Sequence, residues 1–200
     1  MTANEQRGPV MARIPYPEPD VLSDEAREML GRLPAQIRIF DMISHADTCL
    51  KPVMKLGGAI LGKTKLDPLL REFCLLHAVN LVGGRYEYVQ HVPVTLDLGG
   101  KQEQIDAIER GDDDAACFNE IERSALKLTR EVVVDVRASQ ETLEDARRHL
   151  SDREIVELIL MTGYYIMLAG VTETLGVEED PPIGGAVVDD VKKWVAKKGR

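Results

Sequence analysis

The chain has 200 residues, 44% of them hydrophobic and 30% charged, with a formal net charge of -9. That length suits one domain with tails and is enough for a real core without staples. An acidic balance of this size makes the chain a poor candidate for phosphate-backbone binding, which needs clustered Lys and Arg.

The three cysteines, Cys49, Cys74 and Cys117, are scattered and form no C-x-x-C pair. They read as reduced structural thiols of a cytoplasmic protein. The first thirty residues hold no apolar run fit for a signal peptide. The longest apolar stretch, Leu158 to Val171, is interrupted by Thr162 and Gly163. It falls short of the roughly 20 residues a bilayer requires and reads as a buried core helix. The expectation is therefore a soluble protein with neither a membrane nor a nucleic-acid partner.

In chain order, residues 1–20 form a Pro-rich arm, with Ile14-Pro15-Tyr16-Pro17-Glu18-Pro19 at its end. The prolines favour an extended segment, either a flexible lead-in or a strap across a neighbouring subunit. Ser23 caps a short acidic helix through Leu30. Leu50 to Leu61 reads as a helix weakened by Gly57-Gly58. Asp67-Pro68 is a strong helix start, and the helix it opens runs to Val82 and stops at Gly83-Gly84. Another helix runs from Arg85 to Leu98, with Pro93 expected to kink it. Gln102 to Glu109 is a short amphipathic helix. Asn119 to Val136 is a long one with a helical apolar period. Within it, Val132-Val133-Val134 is locally strand-like. Ser139 to Leu150 follows. Ser151-Asp152-Arg153-Glu154 matches a capping box that opens a last major helix to Leu175. Residues 21–180 thus make one helical domain, and 181–200 a tail or short helix around Trp194. No alternating strands or repeats occur, so the fold class is all-α, a bundle of about seven to nine helices.

The chemistry-bearing feature is Glu87-Tyr88-Val89-Gln90-His91 read with Glu72. Glu87 and His91 lie one helical turn apart on one face. Glu72 sits in a helix apolar almost all round, where a carboxylate needs a partner. The bland reading of the pair is an exposed i,i+4 contact. The apolar surroundings favour a buried acid/base cluster. His77 reads as a core histidine or a fourth member of the cluster. His45 and His149 read as structural or solvated. The four histidines lack ligand spacing, so no metal is expected. Tyr164 and Tyr165 read as core residues or as phenols in a pocket. Arg71 and Arg85 read as carboxylate binders or structural ion pairs.

Asp67-Pro68-Leu69-Leu70-Arg71-Glu72, followed by Gly83-Gly84-Arg85-Tyr86-Glu87-Tyr88-Val89-Gln90-His91-Val92-Pro93, resembles the carboxymuconolactone decarboxylase family. That family belongs to the alkyl hydroperoxide reductase D-like (AhpD-like) superfamily. The segments Glu122 to Leu128, Leu150 to Leu158 and Gly163-Tyr164-Tyr165 carry the likeness further. The resemblance implies an AhpD-like helical bundle assembled as a homo-oligomer, a trimer or a hexamer. Thiol-dependent members carry C-x-x-C-x-x-x-H; here Gly84 and Glu87 stand at the two thiol positions, ahead of His91. Without a thiolate and a resolving partner, thiol–disulfide exchange is not expected from the motif. The likeness to decarboxylase-type members implies a lyase with no cofactor, acting on a small carboxylated lactone or related aromatic ring-cleavage product. Glu72, Glu87 and His91 would be catalytic, and Arg85, Tyr86 and Tyr164 would bind substrate. The alternatives are a peroxidase or antioxidant protein of the reductase type, disfavoured by the missing thiols, and a non-catalytic assembly or binding protein on the same scaffold.

Overall fold

A computed structural model describes residues 12–33 and 35–182. The described residues form nine α-helices and one 3-10 turn, with no strand. The helices are α1 (Asp24–Leu30), α2 (Arg38–Ile43), α3 (Asp47–Lys63), α4 (Pro68–Val82), α5 (Arg85–Asp97), α6 (Gln102–Glu109), α7 (Glu120–Asp135), α8 (Gln140–His149) and α9 (Asp152–Leu175). The 3-10 turn, Ser44–Ala46, joins α2 to α3.

The helix boundaries follow local capping chemistry. Asp67 accepts from the Leu69 and Leu70 amides at the start of α4, with Pro68 just inside. Asn119 and Ser151 open α7 and α9 through full capping boxes, and Ser139 caps α8. Gly83 closes α4 at φ +76, a left-handed conformation that glycine adopts without strain. Val132 to Val134 lie inside α7: long helical patterning overrides a three-residue β preference. Pro93 is carried within α5, which runs as one helix to Asp97.

α4 is the centre of the bundle and packs against α5, α6, α7 and α9. Every residue from Leu70 to Val79 is buried, including Arg71, Glu72 and His77. The core around it gathers Phe73, Leu75 and Leu76 with Leu126 and Leu128 of α7 and Leu158 and Met161 of α9. α9 is longer than the apolar stretch that marks it in the sequence. At 24 residues it is long and apolar enough to cross a membrane by length and composition, with half of that apolar window buried inside the protein. Its inner face supplies Ile155, Leu158, Met161, Tyr164, Tyr165, Leu168 and Thr172 to the bundle.

The described part of the arm, residues 12–20, contacts its own chain. The Arg13 amide donates to the Leu175 carbonyl at 2.7 Å, and its guanidinium to the Thr174 carbonyl at 3.1 Å. These bonds satisfy orphan carbonyls at the end of α9. The Tyr16 hydroxyl donates to Glu178, and the Pro15 carbonyl lies 2.8 Å from His45 Nε2. The expected helix around Trp194 lies outside the described residues.

Candidate active site

Glu72 is fully buried and receives two neighbours at once. Arg71 Nε and Nη2 donate to its Oε1 at 3.2 and 3.0 Å. His91 Nδ1 lies 2.6 Å from its Oε2. Burial alone would push this carboxyl up. The His91 charge and hydrogen bond, with Arg71 beside them, outweigh it and hold the group below its ordinary value. Glu72 is thus an ionised orienting group. It fixes the imidazole with Nδ1 toward the carboxylate, so in the neutral ring the lone pair sits on Nε2. The Tyr165 ring packs edge-on against His91, with centroids 5.0 Å apart, and completes the clamp. His91 keeps 12% of its side chain exposed while Glu72 keeps none. The imidazole is therefore the member of this pair that reaches the outside.

Glu87 is buried on the same helix as His91 but has a different partner. The Thr172 hydroxyl of α9 lies 3.1 Å from its Oε1 and 3.2 Å from its Oε2. Burial pushes Glu87 up from its ordinary 4.5 to about 7, while its own backbone amide, Thr172 and the nearby His91 pull the other way. The two carboxyls thus differ in state: Glu72 is ionised, and Glu87 is poised between acid and base near neutrality. That separation sorts carboxyl groups into acid, base and orienting roles.

Glycine shapes the ground beneath Glu87. A Cβ on Gly84 would come 2.7 Å from the Ala169 Cβ and 3.3 Å from Glu87 Oε2. α9 therefore sits directly against the start of α5. Because Gly84 brings no capping side chain, α9 supplies one: Glu173 Oε1 accepts from the Arg85 amide at 2.9 Å.

The structure brings Glu72 and His91 together and sets Glu87 beside them on α5, held by Thr172. The residues expected to bind substrate have partners within the protein. The Arg85 guanidinium lies 3.3 Å from Glu179, and the Tyr86 hydroxyl donates to buried Asp180. The Tyr164 hydroxyl donates to the Val53 carbonyl at 3.2 Å, over Gly57. Of the tyrosine pair it is Tyr165 that meets His91, with Tyr164 one ring behind at 5.3 Å. His77 lies apart from the cluster. Its nearest charged neighbour is Asp113, 3.6 Å away, and neither of its buried ring nitrogens has a hydrogen-bond partner. Sequence reasoning missed Thr172 and Asp180; both lie more than 80 residues from the motif they serve. Cys74 is buried in the core as expected, Cys49 is exposed and Cys117 is half-buried.

Neither a family model nor a curated protein matches the chain. Solved structures do. An uncharacterised peroxidase-related protein from Ralstonia eutropha JMP134, with an alkylhydroperoxidase AhpD core, superposes with a TM-score of 0.74 at 16% identity, over 93% of this chain and 98% of that one. An uncharacterised peroxidase-related protein from Silicibacter sp. TM1040 gives 0.72 at 17% identity, over 90% and 96%. A cysteine-to-alanine variant of the debrominase Bmp8, in complex with 2,3,4-tribromopyrrole, gives 0.65 at 12% identity, over 88% and 91%. At such identities the likeness is one of architecture, and it establishes that this chain has the AhpD-like helical fold.

Proposed function

We propose that this protein is a cofactor-independent lyase of the carboxymuconolactone decarboxylase kind, acting on a small carboxylated lactone or related ring-cleavage product. The observation that carries the reading is the contrast between Glu72, ionised and 2.6 Å from His91, and Glu87, raised to about 7 one turn away on α5. Decarboxylation of such a substrate breaks one carbon–carbon bond and leaves its electron pair delocalised into the lactone as an enolate. The site must stabilise that charge and then deliver one proton to carbon. His91, oriented by Glu72, presents Nε2 for the proton transfer. Glu87, whose acid form burial favours, is the second acid–base group of the site, one turn from His91 on α5. Arg85, Tyr86 and Tyr164 would contact substrate only by exchanging their present partners; the Tyr165 ring already lies at His91.

Gly84 weighs against the thiol-peroxidase alternative. A cysteine Cβ at this position meets Ala169, and Glu87 occupies the second thiol position. The proposal includes a cytoplasmic location and assembly as a trimer or hexamer.

The test is a parallel assay of purified protein on a panel of carboxylated lactones and a panel of hydroperoxides. The expected result is release of CO2 from a lactone, with one solvent deuterium on the product carbon when the reaction runs in D2O. Turnover of peroxides without lactone decarboxylation would replace this reading with the antioxidant one. Silence on both panels would favour the non-catalytic scaffold.

A further inference from the structure

The Thr172 hydroxyl has one hydrogen and four acceptors around it. Glu87 Oε1 and Oε2 lie at 3.1 and 3.2 Å, and the Ala169 and Leu168 carbonyls of its own helix at 3.2 and 3.3 Å. A hydroxyl both donates and accepts, but it donates one bond at a time. An ionised carboxylate accepts only, whereas a protonated carboxyl can also donate. Each state of Glu87 therefore calls for a different orientation of the same hydroxyl, and both orientations have acceptors in place.

We propose that Thr172 is a positioning residue that lets Glu87 gain and lose its proton in place. Its hydroxyl donates to the ionised carboxylate, and turns to the Ala169 or Leu168 carbonyl while accepting from the protonated carboxyl. In neither state does the buried carboxyl lack a partner, so the proton moves without the penalty of an unsatisfied polar group. This inference deepens the acid–base reading of the site and rests on it.

The surroundings leave this role to Thr172. Facing Glu87 on α5 are His91, whose positive form favours the carboxylate, and the Tyr86 phenol; on α9 they are Glu173, which disfavours the carboxylate, and the Tyr165 phenol. α4 contributes Val79 at Gly84, and its Arg71–Glu72 pair meets α5 at His91. The segment after α9 approaches through Asp180, which is bonded to Tyr86. Among the described residues, Thr172 supplies the one side-chain hydrogen bond to Glu87.

The test reads Glu87 itself. The intact protein is labelled with 13C at the glutamate side-chain carboxyls, and the Glu87 resonance is assigned by its loss in Glu87→Gln. It is then titrated by NMR in wild type, Thr172→Val and Thr172→Ser. Valine keeps the shape and removes the hydroxyl; serine restores it. The bond to the ionised carboxylate is charge-assisted and the stronger of the two, so losing the hydroxyl costs the ionised state more. The Glu87 midpoint should move upward by about one pH unit, a tenfold change in its proton affinity. The serine variant should return to within about 0.3 unit of wild type on the same scale. Thr172→Ala, which relieves any crowding by the valine methyls, should move the midpoint in the same direction as valine. An unchanged midpoint in both hydroxyl-free variants, or a serine variant displaced as far as valine, overturns the proposal. No substrate enters the measurement, so a failed lactone assay and a failed titration are separate results.

Discussion

Glu87 carries a stability signature that follows from its environment. Its folded-state pKa, about 7, lies above the ordinary 4.5, so between these values the folded chain binds more protons than the unfolded one. Its burial therefore opposes folding increasingly as pH rises through that window and fully above it. Glu87→Gln should be more stable than wild type at pH 8, by at most on the order of 3 kcal/mol, with the gain fading toward pH 4. Denaturant melts of both proteins at the two pH values measure it. A gain of equal size at pH 4 would show that packing, not ionisation, is responsible. Glu72 behaves oppositely. Removing it leaves the Arg71 guanidinium buried beside nothing of opposite charge at that position. Glu72→Ala should therefore lose about 3–5 kcal/mol of stability, read from the same melts. A loss near zero would mean that Glu72 is not ionised.

Helices α4, α5 and α9 hold the site by close approach, and two glycines set the spacing of α9 against α5 and α3. A Cβ on Gly57 would come 2.4 Å from the Tyr164 hydroxyl, so α3 and α9 are packed around that absence. Gly84→Ala should destabilise by roughly 1–3 kcal/mol, since Ala169 on α9 is a short, stiff neighbour. Urea midpoints decide this, and an unchanged midpoint would mean that α5 and α9 shift apart freely. The helices were largely legible in the sequence because capping is local: Asp67-Pro68, Asn119, Ser139 and Ser151 mark their own boundaries. α2 was not, being six residues long with Ile37 at its start and no side-chain cap. The Glu72–His91 contact was legible because one buried helix and the next share a tight turn at Gly83-Gly84. The parts of the site on α9 were not. Thr172 and Tyr165 sit in an apolar helix that gives no local sign of which residues face α5. The docking of the arm on α9 and Glu178 was hidden for the same reason, since its bonds join residues more than 160 positions apart.

Across the whole molecule, His77 and Glu87 pull the pH dependence of stability in opposite directions. Burial holds His77 neutral and lowers it from 6.5 to about 4, against the attraction of Asp113 and with Arg130 adding to the shift. Between those values the unfolded chain binds the extra proton, so stability falls as pH drops from 6.5 toward 4. His77→Asn should remove this acid loss, and its thermal midpoint should fall less than that of wild type between pH 7 and pH 5. A parallel fall in both proteins would show that His77 gains a proton in the fold. The outer face of α9 exposes Val156, Ile159, Leu160 and Met167, and assembly would give such apolar residues cover. Light scattering of dilute protein should return three or six times the 22.2 kDa chain mass. A mass of one chain would remove the assembly from the account.

The central claim is that His91, oriented by Glu72, moves the proton, and the most direct measurement is chemical rescue. With a lactone found active in the panel assay, His91→Ala should lose about 10²–10⁴ in kcat/KM while keeping its helical circular dichroism and melting cooperatively. Added imidazole should restore part of the rate in proportion to its concentration. A folded His91→Ala protein that decarboxylates the substrate at the wild-type rate would contradict the account.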